Sequence, residues 1–228
     1  MPQGYGYFVN RTAHIAVAQG RRPIQWNEVW DHFGTLLPKQ AIVHAWNDRT
    51  AMARATTAGY SALNSQGWYL DHLTTEWAGM YVNEPTQGVN ASAIDLVLGG
   101  QGEMWGETVD TSDIESTVWP RLAAIAEKLW SPQAVTTCPE SPDVGELYTA
   151  ASYSRGEAPA RDGTMDNAGG LSAEADPKTP KNCTAVDSAF PRLAEFRCLL
   201  NRRGVRAAPV LNGQAREAPP GPGGCLGQ

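Results

Sequence analysis

The 228-residue chain lacks the sequence features of membrane proteins, nucleic-acid-binding proteins and nucleotide-binding enzymes. No apolar run approaches the roughly 20 residues that a helix needs to cross a bilayer, so no membrane span is expected. Lys and Arg number 18 against 24 Asp and Glu, a formal net charge of −6, so no nucleic-acid partner is expected either. Without a glycine-rich phosphate loop, a serine nucleophile elbow or metal-ligand spacing, we expect neither a cofactor nor a bound metal. What remains is a globular chain, 42% hydrophobic and 18% charged.

Signals for the cellular compartment point in two directions. Residues 1–5 have no apolar signal-peptide core, which taken alone suggests a cytosolic protein, although a chain beginning inside a domain would have lost its signal. In contrast, N-glycosylation sequons begin at Asn10, Asn90 and Asn182, and the number of cysteines is even. Together these favour the secretory pathway, with a lysosomal, vacuolar or extracellular destination.

The cysteines are confined to the C-terminal part of the chain. They are Cys138, Cys183, Cys198 and Cys225. Their spacing fits no zinc motif, and no histidine lies near them. Disulfide bonds are the favoured interpretation, and free buried thiols are the alternative.

Short apolar runs alternate with helix-like stretches in residues 1–135, which we interpret as about four βα units. The predicted strands are 23–26, 41–46, 60–64 and 94–98. The first three begin about 18–20 residues apart with helices between them, which is the spacing of a parallel sheet. Four strands are half of a TIM (β/α)8 barrel, so the predicted fold class is α/β, the C-terminal half of such a barrel. A half barrel leaves two sheet edges uncovered, so we expect it to need an N-terminal half to fold well.

Helix boundaries follow from caps and breakers. The first predicted helix covers 7–19 and the second ends at Ala58, and Gly20 and Gly59 stop them. Residues 112–115, Ser-Asp-Ile-Glu, have the form of a capping box. The apolar stripe of the helix after it consists of Trp119, Leu122, Ile125, Ala126 and Leu129.

Beyond the predicted barrel units we expect a low-order insertion, 136–187, and then a C-terminal helix with a flexible tail, 188–228. The insertion is rich in Pro, Gly, Ser, Ala and charged residues, and so long a loop is unusual in a compact domain. Ser188 is the candidate cap of the helix, which ends at Gly204 and packs on the barrel. The predicted apolar face consists of Leu193, Phe196, Leu199 and Leu200.

Each predicted strand is followed by an aromatic or acidic side chain, where a β/α barrel has its active site. Trp26, Trp46 and Trp105 stand at equivalent strand ends, so we favour three walls of one pocket over ordinary core packing. Glu107 lies on the same side as Trp105 if the chain stays extended. Such a pair suits a sugar, because the ring stacks on a sugar face and the carboxylate accepts hydrogen bonds from hydroxyl groups.

The segment Trp68-Tyr69-Leu70-Asp71 adds polar candidates. Tyr69 supplies a phenol donor and Asp71 an acceptor on the same side. The alternatives are a buried, hydrogen-bonded phenol for Tyr69 and a helix N-cap for Asp71. Glu103 is expected to be a polar support. Surface or satisfied core positions are expected for His14, His32, His44 and His72.

Three motifs carry a family resemblance. They are Trp26-Asn27-Glu28-Val29, Trp68 to Asp71 and Gly99 to Asp110. With them, the chain resembles glycoside hydrolase family 20, the β-N-acetylhexosaminidases. The resemblance implies hydrolysis of terminal non-reducing N-acetylglucosamine or N-acetylgalactosamine residues by a substrate-assisted retaining mechanism, in which the substrate's own amide is the nucleophile.

The resemblance also implies roles for individual residues. Tyr69 would be catalytic, because its phenol holds the acetamido oxygen under the anomeric carbon and stabilises the oxazolinium intermediate. The implied partner is a glycan that ends in a β-linked N-acetylhexosamine. The implied substrate-binding residues are Trp26, Trp46, Trp68, Asp71, Trp105 and Glu107.

Some features depart from the family pattern. No Asp-Glu dipeptide occurs in the sequence, although the family uses such a pair to orient the amide and protonate the leaving oxygen. We expect the pair to lie upstream of this chain, which would then be a fragment with little or no turnover. Gln101 stands where the family usually has Glu, and Glu103 where it often has Cys. The alternatives to an enzyme are a non-catalytic N-acetylhexosamine-binding remnant and an inactive gene fragment.

Cross-links and assembly also follow from the resemblance. A tail bridge in the family matches Cys198–Cys225, which would leave Cys138–Cys183 to close the loop between them. The full-length form is compatible with a homodimer.

Overall fold

The structure, a computed structural model, describes residues 2–136 and 184–210. Within these ranges, helices alternate with strands as far as residue 100, and only helices follow. The helices are α1 (Pro2–Ala18), α2 (Asn27–Phe33), α3 (Thr50–Thr57), α4 (Trp77–Val82), α5 (Ile114–Val118), α6 (Arg121–Trp130), α7 (Gln133–Thr136) and α8 (Thr184–Arg202). The strands are β1 (Ile24–Trp26), β2 (Ile42–Ala45), β3 (Ser61–Asn64) and β4 (Val97–Gly100), and two 3-10 helices cover Gly34–Leu36 and Ala91–Leu96.

The four strands form one parallel sheet in chain order, β1-β2-β3-β4. Trp26 on β1 is opposite His44 on β2, and Ala45 on β2 is opposite Asn64 on β3. All of β2 is buried, as expected for an inner strand of a parallel sheet that is covered on both faces. The predicted α/β class and parallel arrangement are confirmed, and the carboxyl ends of the strands lie at one edge of the sheet.

Buried apolar residues form three clusters. One lies between the sheet and helices α1, α2 and α3, and a second joins α4, α6 and α8. The third surrounds Trp68 and includes Leu70 and Ile125. The strands are therefore supported by packed side chains on the helix-covered face of the sheet.

The fourth strand lies about three residues later than the sequence predicted. Residues 91–96 form a 3-10 helix, and the Asn90 side chain caps it by accepting a hydrogen bond from the Ser92 amide at 3.5 Å. The sheet pairing continues instead through the glycines, with Asn64 opposite Gly100. A Cβ atom on Gly100 would overlap the Asn64 carbonyl oxygen and the Trp68 ring, so this approach requires glycine.

Two helix predictions near residue 115 are wrong. The capping box at 112–115 does not form, because Asp113 precedes α5 without capping it through its side chain. The single helix expected after it is divided into α5 and α6, since Pro120 has no amide hydrogen and cannot continue α5. Within the predicted stripe Ile125 is buried, but Ala126 is exposed.

Helix α8 begins four residues before Ser188, its predicted cap, which lies inside the helix. The extra turn contributes to packing, because the helix is buried against α4 and α6 from its start. On the predicted apolar face, Leu193 is buried, whereas Phe196 and Leu199 are exposed. The other buried apolar residues of the helix are Ala185, Val186 and Ala189.

Helix ends agree better with the sequence than helix starts. The three glycines predicted to stop helices, Gly20, Gly59 and Gly204, all have positive φ angles. No helix that the structure describes is long and apolar enough to cross a membrane. The division into domains and the disulfide pairings stay predictions. Outside the described residues lie most of the predicted insertion and tail, Asn182, Cys138, Cys183 and Cys225.

Candidate functional site

An aromatic cluster lies where β1 and β2 end. Trp26 is the last residue of β1, and Trp46 follows β2. Their ring centroids are 6.2 Å apart in an edge-to-face arrangement, and the Tyr69 ring lies 6.2 Å from that of Trp46. We call these three residues the aromatic wall. It stands at the carboxyl ends of parallel strands, which is where β/α barrels have their active sites.

Polar side chains from the start of α2 hold Trp46 in place. The indole Nε1–H of Trp46 donates to Glu28 Oε2 at 2.7 Å, and Asn47 Nδ2 donates to Glu28 Oε1 at 3.1 Å. The backbone amide of Trp46 donates to Asn27 Oδ1 at 3.1 Å. Both side chains belong to the motif that carries the family resemblance. The sequence-based interpretation nevertheless missed their role as supports of the ring.

The loop that carries Tyr69 is supported from two sides. Residue 69 forms a parallel bridge with Glu103, which follows β4. Arg121, only 3% exposed, donates from its guanidinium to carbonyl oxygens on the other side of the loop. A single arginine beside an apolar stretch is typical of the protein surface, so the sequence pattern did not indicate this role. The accepting carbonyl groups belong to Leu70, His72 and Thr75.

Asp71 lies in the same loop and is partly buried. Its Oδ1 atom has almost no accessible surface and accepts no hydrogen bond from the residues that the structure describes. The helix N-cap alternative is wrong, because the next helix begins only at Trp77. A buried carboxylate oxygen without a donor is unfavourable, so this atom is suited to a donor that is brought by a ligand.

A buried histidine lies behind Trp26. The His44 and Trp26 rings stack with centroids 4.4 Å apart and planes 21° apart. His44 Nε2 is 2.9 Å from Ser65 Oγ and 3.5 Å from Glu103 Oε1. Burial lowers the pKa of His44 to about 4, so the ring is neutral at pH 7. His44 is therefore a satisfied core histidine as predicted, and Glu103, which accepts from Gln101 Nε2 at 2.6 Å, is a polar support.

Trp105 and Glu107 are less fixed than the aromatic wall. Trp105 is 47% exposed, and no other aromatic ring in the described parts of the chain contacts it. Glu107 is exposed as well. The structure therefore brings Trp26, Trp46 and Tyr69 together but does not bring Trp105 into the same ring cluster.

Trp68 does not fit its predicted role in substrate binding. Its side chain is 0% exposed, and its indole Nε1–H donates to the Met80 carbonyl at 2.8 Å inside the core. Adjacent residues of an extended segment point to opposite sides, so Trp68 faces the interior if Tyr69 and Asp71 face the pocket. Trp68 supports the site from beneath and does not line it.

Acidic side chains dominate the charge near the aromatic wall, namely Glu28, Asp71 and Glu103. No group of three His, Cys, Asp or Glu side chains that could hold a metal ion occurs in residues 2–136 or 184–210. The Oδ1 atom of Asp71, which accepts no hydrogen bond from the described residues, suits a neutral ligand that brings a hydroxyl donor.

The two described sequons differ in their surroundings. Asn90 is exposed just before a 3-10 helix. Asn10 lies inside α1, where the hydroxyl of Thr12 donates to the Phe8 carbonyl at 2.9 Å. Asn90 is therefore the more accessible of the two acceptors.

Comparison with known proteins identifies relatives along nearly the whole chain. The model of "Glycosyl hydrolase family 20, catalytic domain" matches residues 2–133. Beta-hexosaminidase 3 of Arabidopsis thaliana is 37% identical over 99% of this chain, and Beta-hexosaminidase 1 of the same plant is 36% identical over 98%. The matched region is 34% of each relative, so the chain spans about a third of the length of these curated proteins.

Solved structures give the same result for the fold. The chitobiase of Flavobacterium johnsoniae is 33% identical and superposes with a TM-score of 0.51 over 58% of this chain and 21% of its own. The beta-N-acetylhexosaminidase of Bacteroides fragilis covers 93% of this chain and 38% of its own with a TM-score of 0.58, at 18% identity. The parallel sheet and its helices are thus part of an α/β barrel.

Proposed function

This chain belongs to glycosyl hydrolase family 20, and we propose on that premise that it supplies the acetamido-binding part of a β-N-acetylhexosaminidase active site. The substrate is a glycan with a terminal, non-reducing N-acetylglucosamine or N-acetylgalactosamine residue. The observation that carries the proposal is the aromatic wall together with the Oδ1 atom of Asp71, two residues from Tyr69, which accepts no hydrogen bond from the described residues.

The two parts of this site recognise different parts of an N-acetylhexosamine. Indole and phenol rings set at steep angles to one another leave a concave apolar corner, which fits the methyl group and the flat amide of the acetamido substituent. The Asp71 carboxylate accepts a hydrogen bond from a sugar hydroxyl, which removes the cost of leaving its buried oxygen without a donor. Trp105 and Glu107, on the exposed segment after β4, contribute a further stacking face and acceptor.

The proposed reaction is substrate-assisted hydrolysis with retention of configuration. The acetamido carbonyl oxygen attacks the anomeric carbon while the bond to the leaving oxygen breaks, which gives a cyclic oxazolinium ion. Water then opens this ion at the anomeric carbon. The phenol of Tyr69 donates a hydrogen bond to the acetamido oxygen and keeps it beneath the anomeric carbon. A protonated carboxyl group must deliver a proton to the leaving oxygen in the first step.

The acid for that first step is not assigned to this chain. Its sequence contains no Asp-Glu dipeptide, and the residues of the aromatic wall supply no carboxyl group. We therefore propose that the 228-residue chain binds the sugar but turns it over little or not at all. The sequons and the C-terminal cysteines favour the secretory pathway as its location.

Titration of the full 228-residue chain with N-acetylglucosamine tests the proposal through tryptophan fluorescence. We expect a saturable change with N-acetylglucosamine and a much weaker one with glucose, which lacks the acetamido group. Asp71→Asn should weaken binding about tenfold, as expected for loss of a charged hydrogen-bond acceptor. Equal responses to the two sugars, or no response, would contradict the proposal, and release of product from an aryl β-N-acetylglucosaminide would contradict the predicted lack of turnover.

A further inference from the structure

A polar cluster behind Trp26, buried at His44 and Ser65 and exposed at Gln101, has no part in the sugar contacts described above. We call it the imidazole cluster, and it consists of His44, Ser65, Gln101 and Glu103. His44 belongs to β2, Ser65 directly follows β3, and Glu103 follows β4. The cluster therefore connects the ends of three strands, and its histidine contacts a residue of the fourth.

Trp26 needs such a support. It ends β1, which has only three residues and lies at the edge of the described sheet, and the side chain is 39% exposed. Its described ring contacts are the stack on His44 and the edge contact with Trp46. Because Trp26 and His44 are direct partners in the parallel register, their side chains lie side by side on one face of the sheet. The stack is thus the contact that fixes the plane of the Trp26 ring.

The polar partners of His44 fix the plane of the imidazole in turn. The Glu103 carboxylate lies 3.5 Å from Nε2 and favours the tautomer that carries a proton on this nitrogen. That proton can then be donated to Ser65 Oγ, 2.9 Å away. Gln101 Nε2 donates to the same Glu103 oxygen at 2.6 Å and holds the carboxylate in place. Glu103 is the one charged side chain for which a contact with His44 is described.

We infer that His44 is a positioning residue, whose ring orients the Trp26 face of the acetamido pocket and is itself oriented by Ser65 and Glu103. The contact of Trp26 with the sugar rests on the proposed function. The orientation of the Trp26 ring by His44 does not depend on it. A phenylalanine at position 44 could stack on Trp26, yet it would remove the hydrogen bond with Ser65 and the contact with the Glu103 carboxylate. The arrangement therefore requires an aromatic ring that also carries a hydrogen-bond donor.

The Trp26 signal tests the orientation directly. The fluorescence of Trp26 is the part of the emission that the Trp26→Phe substitution removes. Acrylamide should quench this part more strongly in His44→Ala, because the stacked face of Trp26 becomes accessible to the quencher. The same His44→Ala change in a Trp26→Phe background should alter the spectrum little. His14→Ala, which removes an exposed histidine of α1, is the matched control. Equal quenching in the wild-type chain and in His44→Ala would overturn the inference.

Sugar binding tests the consequence. In chains whose far-UV circular dichroism matches the wild type, His44→Ala should weaken N-acetylglucosamine binding about fivefold, the size expected for one aromatic stack. Glu103→Ala should weaken it less, and Glu103→Gln, which retains an acceptor oxygen, should restore most of the loss. Unchanged binding in His44→Ala would overturn the inference while the wild-type titration still supports the proposed function. If the wild-type chain does not bind the sugar, the proposed function fails, and the quenching experiment alone decides the orientation of Trp26.

Discussion

The two sides of the proposed pocket differ in how firmly they are built. Trp46 and Tyr69 are held by Glu28, by the bridge to Glu103 and by the loop that Arg121 supports. Trp105 and Glu107 are exposed, and no comparable support for them is found among residues 2–136 and 184–210. Yet the segment with Trp105 and Glu107 is one of the three motifs that carry the family resemblance. A motif that identifies a family thus need not be the part of the site that the fold holds most firmly.

The largest effect on stability should come from Arg121, which supports the side of the pocket formed by Trp46 and Tyr69. Arg121→Met leaves several carbonyl groups of the Tyr69 loop without donors, so the free energy of unfolding should fall by about 3 kcal/mol. Urea denaturation measures this change. Arg11→Met, at an exposed position of α1, is the control and should have little effect. Equal effects of the two substitutions would show that the loop does not depend on Arg121.

The second prediction concerns pH and His44. The pKa of His44 is about 4 in the folded chain and 6.5 in the unfolded chain. As the pH falls below 6.5, the unfolded chain takes up a proton that the folded chain does not, so stability is lost until about pH 4, by about 3 kcal/mol in total. Above pH 6.5 His44 contributes no pH dependence.

Urea denaturation of the wild-type chain and of His44→Gln at pH 7 and at pH 4 isolates this contribution, because the other groups cancel in the difference. The variant should lose less stability than the wild type between the two pH values. An identical loss in both chains would show that His44 titrates normally in the folded state.

A smaller effect is expected from Glu28. Glu28→Ala removes the acceptor of the Trp46 indole and of Asn47, so the free energy of unfolding should fall by about 2 kcal/mol. Binding of N-acetylglucosamine should weaken as well, because Trp46 is free to rotate. Glu28→Gln keeps one acceptor oxygen and should lie between Ala and the wild type. A Glu28→Ala chain as stable as the wild type would mean that Trp46 is held by packing alone.

The smallest effect on stability should come from the side of the pocket formed by Trp105 and Glu107. Glu107→Ala removes an exposed carboxylate, so the free energy of unfolding should change by less than about 0.5 kcal/mol. Sugar binding should nevertheless weaken severalfold if Glu107 accepts a hydrogen bond from a sugar hydroxyl. Glu107→Gln is the matched variant that keeps an acceptor. A large loss of stability in Glu107→Ala would end the contrast between the two sides.

Local sequence patterns were sufficient for the parallel sheet and for much of the aromatic wall. Alternating apolar runs and glycine breakers act over a few residues, so β1, β2 and β3 could be predicted closely. The position of β4 could not, because it depends on the contact of Gly100 with Asn64 and Trp68, which are distant in sequence. The burial of Trp68 could have been predicted from strand alternation once Tyr69 and Asp71 were placed on one side.

The supports of the site were harder to predict than its walls. Aromatic residues at strand ends are visible in the sequence, whereas hydrogen bonds from Arg121 to carbonyl groups and from His44 to Ser65 arise only when distant segments meet. The predicted start of α8 was wrong for a related reason. The first turn of α8 is stabilised by packing against α4 and α6, which outweighs the capping preference of Ser188.

The close contact at Gly100 has a genetic consequence. Every missense change in a glycine codon adds at least a methyl group, and no methyl group fits between the strand and its neighbours at this position. Saturation mutagenesis of codon 100 should therefore yield almost no folded variants, whereas codon 88, whose glycine faces open space, should accept asparagine or aspartate.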